Sequence, residues 1–181
     1  MGQIAVASFR LDAYVEAALA VMGTALGLPA AGARQRAVIV RRHAARPGLT
    51  TRGAFTATGQ LVGFCYGFPS QEESWWEQQI RPRLTAAGTG DWLARPAFEL
   101  TELHVLPERQ RCGLGRRLIT EVLSSTELPR ALLSVRANAV PARSLYRGLG
   151  FADLTPPFRF ATDQPEYTVM GAELPVPRRL A

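Results

Sequence analysis

Glu108-Arg109-Gln110-Arg111-Cys112-Gly113-Leu114-Gly115-Arg116-Arg117 follows directly on the apolar-alternating run Phe98 to Val105 and leads into Leu118-Ile119-Thr120-Glu121-Val122-Leu123. The order reads as strand, tight turn, helix. Glycines at 113 and 115 remove the side chains that would keep a bulky ligand off the backbone. The first N–H groups of the helix have no intrahelical acceptor and sit at the positive end of its dipole. A phosphate or pyrophosphate fits such a turn, although the same glycines also suit plain chain reversal. The spacing is neither the Gly-x-Gly-x-x-Gly of a dinucleotide fold nor the Gly-Lys-Ser/Thr ending of a P-loop.

The pattern Gln110-x-x-Gly113-x-Gly115 resembles the acetyl-CoA pyrophosphate loop of the Gcn5-related N-acetyltransferases (GNAT), whose signature is Arg/Gln-x-x-Gly-x-Gly/Ala between the fourth strand and the next helix. The likeness continues downstream. Ala131 to Val135 reads as the next strand, Asn138 as a turn residue, and Ala142 to Phe151 as a helix that carries Tyr146 and exits through Gly150-Phe151. In all it covers residues 98 to 152.

This resemblance implies an α/β fold of GNAT type, with a mixed, mostly antiparallel central sheet of six to seven strands, about four flanking helices and a splay between strands 4 and 5. It further implies an N-acetyltransferase that moves the acetyl group of acetyl-CoA to a primary amine by direct attack in a ternary complex. Backbone at Leu103 and Val105 would pair with the pantetheine arm like an added strand. The segment Gln110, Arg111, Cys112, Gly113, Leu114, Gly115 and Arg116 would hold the pyrophosphate, with charge added by Arg117, and Asn138 would face the cofactor. From physics alone Asn138 equally suits a helix N-cap.

Tyr146 matches the family's tyrosine. A phenol with a pKa near 10 can protonate a departing thiolate if it lies at hydrogen-bond distance from the sulfur; a tyrosine at this position also suits plain packing of an amphipathic helix on a sheet. Amine attack on a thioester requires a neutral amine, so a carboxylate base is expected. Glu102 is the first choice, three residues ahead of Val105. Strict alternation puts Glu102 and Val105 on opposite faces and favours Glu99 unless the strand is bulged, as it is in the family. A solvated or ion-paired strand position remains the alternative for both. His104, which shares the parity of Glu102, is the weaker base candidate.

At 181 residues, 47% of them hydrophobic, the chain suits a single domain spanning residues 1–181, with a segment inserted at 69–96. No apolar stretch reaches the length of a membrane span and the N-terminus has no signal-peptide pattern, so a cytoplasmic protein without a membrane partner is expected. The two cysteines, Cys65 and Cys112, suggest neither a disulfide framework nor a metal site, and no metal is expected. A net charge of +6 raises nucleic-acid binding. Every basic residue is arginine, however, and the arginines are scattered except at 34–46 and 109–117. Compositional bias and a cofactor carrying phosphates account for them more simply.

Along the chain, Ile4 to Phe9 suits a first strand, and Asp12 an N-cap for a helix to Leu26 ended by Gly27-Leu28-Pro29. A second helix over Ala33 to Ala45 would turn Ala37, Val38 and Val40 or Arg41 inward, although Val38-Ile39-Val40 also reads as a short strand. Thr51 to Thr58 and Leu61 to Phe68 form a hairpin about Gly59-Gln60. The insertion holds Trp75, Trp76 and Trp92, which argue against disorder. They either wall an amine substrate in a lid or fasten a helix to the sheet or to a second subunit. Glu166 to Leu174 is a late strand after a loop at 155–165, and the tail Pro175 to Arg179 is expected to fray.

Two rivals accompany the acetyltransferase reading. One is an inactive acyl-CoA-binding or sensor protein of the same fold; the other is a basic nucleic-acid-binding module. The acceptor, a small-molecule or peptide amine, is not identified, and a homodimer, common in the family, is left open.

Overall fold

The computed structural model describes residues 2–176. Its strands are β1 (Ala5–Ala7), β2 (Thr50–Phe55), β3 (Leu61–Pro69), β4 (Phe98–Val105), β5 (Arg130–Arg136), β6 (Ala152–Asp153) and β7 (Tyr167–Glu173). Its α-helices are α1 (Val15–Leu26), α2 (Ala30–Ala44), α3 (Trp75–Ala86), α4 (Leu114–Leu123) and α5 (Val140–Arg147). The strands form one seven-stranded sheet in the order β1-β2-β3-β4-β5-β7-β6. Antiparallel pairs join β1 to β2, β2 to β3, β5 to β7 and β6 to β7. The exception is β4 with β5, a parallel pair registered at Phe98↔Ala131 and Glu99↔Leu132. The sheet is therefore mixed and mostly antiparallel, as expected.

The chain divides into two compact units. One contains the residues up to Phe68 together with Leu100–Ser125, the other Pro69–Glu99 and the residues from Thr126 onward. In the first unit, Leu11, Val15, Ala18, Leu19 and Met22 meet Ala37, Val40, Leu61, Phe64 and Tyr66 in a single core. Gly27 ends α1 at φ +62, with the cap N–H groups bonded back to Gly23 and Thr24; only a residue without Cβ takes that conformation freely.

Three details of this unit differ from the sequence-based expectations. Residues 12–14 form a 3₁₀ turn, and α1 begins at Val15 without a side-chain cap. The Asp12 carboxylate is held instead by Arg10 at 2.5 Å. Segment 38–40 is helical, and Ala37 and Val40 are buried while Val38 is 54% exposed. A stripe that runs from 37 to 40 leaves 38 a hundred degrees off axis. In the hairpin, β2 stops at Phe55 and residues 56–60 make the connection, with Gly59 at φ +80 and its N–H on the Thr56 carbonyl.

The second unit has its own core of Ile80, Leu84, Ala97, Leu132, Leu154 and Val169, flanked by Trp76, Trp92 and Phe158. Much of this comes from the 69–96 insertion, which is not a loop: α3 starts at Ser74, whose hydroxyl accepts the Glu77 N–H at 3.2 Å. Trp76 donates from Nε1 to Ser134 Oγ at 3.0 Å, and Trp92 lies so close to Gly171 on β7 that a Cβ there would be 2.8 Å from its ring. The packing role weighed for these two tryptophans is the one they fill. Trp75 differs, being 61% exposed with its ring 5.4 Å from that of Phe160. Among the tail residues, Val176 is buried and does not fray, whereas 177–179 lie outside the described residues.

Candidate active site

The first unit places the glycine turn where the sequence put it, between β4 and α4. Residues Pro107–Arg109 make a short 3₁₀ turn, Arg111 adopts φ +62 and Gly113 φ +83, and α4 then begins at Leu114. Its anchor is apolar, since Leu114, Leu118, Ile119, Val122 and Leu123 are all buried. The first intrahelical bond is Arg117 N–H to the Gly113 carbonyl at 3.0 Å, so the amides of Leu114 and Gly115 have no acceptor within the helix. Apart from Gly113 itself and its chain neighbours, nothing lies within 4 Å of the Cβ position on Gly113, and Arg111, Cys112 and Gly113 are exposed. Arg111 is a residue with a Cβ in the left-handed region, a conformation worth about 1–3 kcal/mol of strain that tends to mark functional turns. Outward amides, a positive dipole and an arginine rim form a donor set that fits a pyrophosphate.

Gln110 has a role that the motif alone does not reveal. Its Nε2 donates to the Val105 carbonyl at 2.9 Å and so ties the start of the turn to the end of β4. Cys112 Sγ donates to the Arg109 carbonyl, a second closure of the same turn.

Upstream on β4, the shared parity of Glu102 and His104 becomes a contact. His104 Nε2 and Glu102 Oε2 are 2.6 Å apart, and Arg36 Nη1 on α2 lies 3.3 Å from the other carboxylate oxygen. Both members of the pair are largely withdrawn from solvent, at 9% and 14% side-chain exposure. Burial pushes the Glu102 carboxyl up, but the His104 hydrogen bond and charge, with Arg36 and His43, outweigh it and hold it below the ordinary glutamate range. His104 also lies against the Phe64 ring, at 5.4 Å between centroids.

A second layer follows on α2, the turn after it and β3. His43 Nδ1 is 3.1 Å from Tyr66 Oη, and the Arg46 guanidinium sits 4.4 Å above the Phe68 ring. Burial pulls His43 below the usual histidine range, Glu102 works against this, and Arg46 reinforces it. Cys65, fully buried beside them, has its thiol pushed far up by burial and by Glu102, and is inert as a nucleophile. Sequence reasoning found none of Arg36, His43, Arg46 and Tyr66. Their relevance depends on which face of α2 meets β3, and no motif carries that information.

Of the other expected site residues, Leu103 is half-buried and Val105 buried on β4 within the first unit, whereas Glu99, Asn138 and Tyr146 belong to the second. Glu99 is 6% exposed at the registered end of the β4–β5 pair. Asn138 is exposed in the turn after β5, where its carbonyl accepts the Val140 N–H at 2.9 Å. It does not cap α5: the cap residue is Ala139, whose methyl side chain has no acceptor to offer. Tyr146 is buried on α5 with its ring 5.8 Å from that of Phe151, and its carbonyl accepts the Phe151 N–H at 3.1 Å.

Known proteins resemble the chain in sequence and in fold. A GCN5-like protein acetyltransferase of Mycobacterium tuberculosis is 36% identical over 127 residues, 64% of this chain and 60% of that protein. The chain thus matches about three fifths of the length of that relative. Among solved structures, the ribosomal-protein-S18-alanine N-acetyltransferase of Escherichia coli is similar with a TM-score of 0.67 at 18% identity, covering 99% of each chain. The PaiA N-acetyltransferase of Thermoplasma acidophilum, solved with coenzyme A, gives 0.59 at 17% identity over 94% of this chain and 99% of that one. At these identities the structures speak to the fold alone. The model of the acetyltransferase (GNAT) domain matches residues 51–153, more than half of the chain, and the protein belongs to the GNAT acetyltransferase family.

Proposed function

We propose that the protein transfers the acetyl group of acetyl-CoA to a primary amine by direct attack in a ternary complex, and that residues 1–181 act as one GNAT domain with an insertion at 69–96. The observation that carries the proposal is the turn at 110–116, with left-handed Arg111 and Gly113 opening onto the first turn of α4. In this reading Gln110, Arg111, Cys112, Gly113, Leu114, Gly115 and Arg116 hold the pyrophosphate, Leu103 and Val105 receive the pantetheine arm, and Asn138 faces the cofactor. Tyr146 protonates the departing thiolate. Glu102 is the general base, with Glu99 the alternative on the same strand. The name of the mycobacterial relative, a protein acetyltransferase, supports a peptide or protein amine as acceptor beside small-molecule amines.

The test is acetyl-CoA consumption across a panel of small amines and peptides, with Tyr146→Phe and Glu102→Gln run alongside. Loss of about 10²–10⁴-fold in kcat is expected for removal of a general acid or base. Absence of CoA release with every amine, together with no acetyl-CoA binding by calorimetry, would overturn the enzyme reading, whereas binding without turnover would favour the acyl-CoA sensor. Unchanged turnover in both variants would overturn only the residue roles.

A further inference from the structure

We infer that the base is a pair, in which Nδ1 of His104 takes the proton from the attacking amine and Glu102 acts through His104 as its positioning residue. The inference rests on the acetyltransferase reading above and deepens its base assignment. Three observations within the first unit carry it.

The carboxylate of Glu102 is fully engaged. One oxygen is 2.6 Å from His104 Nε2 and the other 3.3 Å from Arg36 Nη1. A carboxylate pinned between a guanidinium and an imidazole, and ionised because of them, is a poor proton acceptor in its own right: any proton it takes displaces one of those partners. The second observation is chemical. An ionised carboxylate offers acceptors only, so Nε2 must carry the hydrogen of that bond, and in a neutral imidazole this leaves the lone pair on Nδ1. The tautomer suited to accept a proton is thereby set by Glu102. Third, the ring packs against the tilted Phe64 ring at 5.4 Å and is largely buried, which restricts its rotation.

In the step itself the amine nitrogen forms a bond to the thioester carbonyl carbon and the C–S bond breaks. The proton lost by nitrogen goes to Nδ1, and the thiolate takes one from Tyr146. Imidazolium and phenolate then return to their starting states by proton exchange with solvent. While His104 is charged, Glu102 accepts from its Nε2–H and stabilises it. The titratable and charged groups set about the pair are Arg36 and His43 from α2 and Arg46 from the turn that follows it, with Cys65 and Tyr66 from β3. His43 is the histidine whose titration must be separated from that of His104.

The experiment compares wild type, His104→Gln and Glu102→Gln by kcat, KM and the pH profile of kcat/KM, and follows the ring nitrogens of the two histidines by ¹⁵N NMR. His104→Gln is expected to lose about 10²–10⁴-fold in kcat with KM little changed, and to lose the acid limb of the profile. Glu102→Gln is expected to lose activity within the same range, no more deeply than His104→Gln, and to move the acid limb to lower pH, because the negative charge that stabilised the imidazolium is gone. A near-normal His104→Gln enzyme, or a Glu102→Gln defect deeper than that of His104→Gln, overturns the inference. If His104→Gln fails to fold, the wild-type spectrum decides: protonation at Nε2 with Nδ1 bare supports the pair, and protonation at Nδ1 overturns it. If wild type transfers acetyl to no amine, the acetyltransferase reading fails, and the same spectrum still reports whether Glu102 sets the tautomer.

Discussion

Glu102 illustrates how one side chain changes meaning with its surroundings. Alone on a strand it is a generic carboxylate; wedged between His104 and Arg36 it is ionised, oriented and shielded. Its neighbour His43 carries a consequence for stability. Burial depresses its folded pKa below the usual histidine value of 6.5, so the fold favours the neutral ring. The stabilisation from this is present above the unfolded histidine value and is lost as pH falls through the folded one, because the unfolded chain binds the proton more readily. Urea midpoints for wild type are therefore expected to decline from pH 7 toward pH 5, and His43→Gln, which has no proton to gain, to flatten that slope. An unchanged slope in the variant would show that His43 is not the group responsible. Strand parity was enough to place Glu102 and His104 on one face. Arg36 and His43 were invisible from sequence, since a charged residue on a helix reads the same whether it meets a buried carboxylate or water.

At the level of elements, the insertion is the part that structure transformed. A stretch of 28 residues (69–96) between two strands suggested a lid or an anchor, and α3 with the 3₁₀ turn Gly90–Leu93 is in large part an anchor. Trp92 lies against Gly171, and the Arg130 guanidinium sits 4.9 Å from the Trp92 ring, with Nη1 on the Asp91 carbonyl and Nε on Glu173. Gly171→Ala is therefore expected to destabilise the protein by about 1–3 kcal/mol, the range for overpacking a close contact. Chemical denaturation checks this, and a variant as stable as wild type would mean that the ring moves aside without penalty. Helix α4 was legible from the apolar stripe 114–118–122, because one solvent-facing side imposes a period, whereas β3, β5 and β7 are buried along most of their length and were legible as apolar runs bounded by turn residues. The start of α1 and the cap of α5 were not. Asp12 had the right side chain for a cap but a competing arginine two residues away, and the cap position of α5 fell on Ala139 and not on Asn138.

For the molecule as a whole, the +6 charge is the property most open to misreading. Arginines at 10, 36, 41, 52, 81, 117, 130, 143, 147 and 159 are paired with carboxylates, which breaks the positive field into local ion pairs. Among the described residues no helix is long and apolar enough to cross a membrane. Acetyl-CoA at a hundred times its Kd is expected to stabilise the protein by about 2.7 kcal/mol, read as a rise in Tm that duplex DNA does not reproduce. A larger rise with DNA, abolished by salt, would favour the basic-module alternative.

Sequence by itself determined the family, the order of elements over residues 98 to 152 and the turn that suits a pyrophosphate. These are written in glycine positions, hydrophobic period and local spacing, which act between residues a few positions apart. The partners of Glu102, the packing of the insertion through Trp76 and Trp92, and the tie from Gln110 to Val105 were decided only by tertiary structure. Each depends on which faces of separate elements meet, and that is chosen by the burial of the whole core and not by any local pattern.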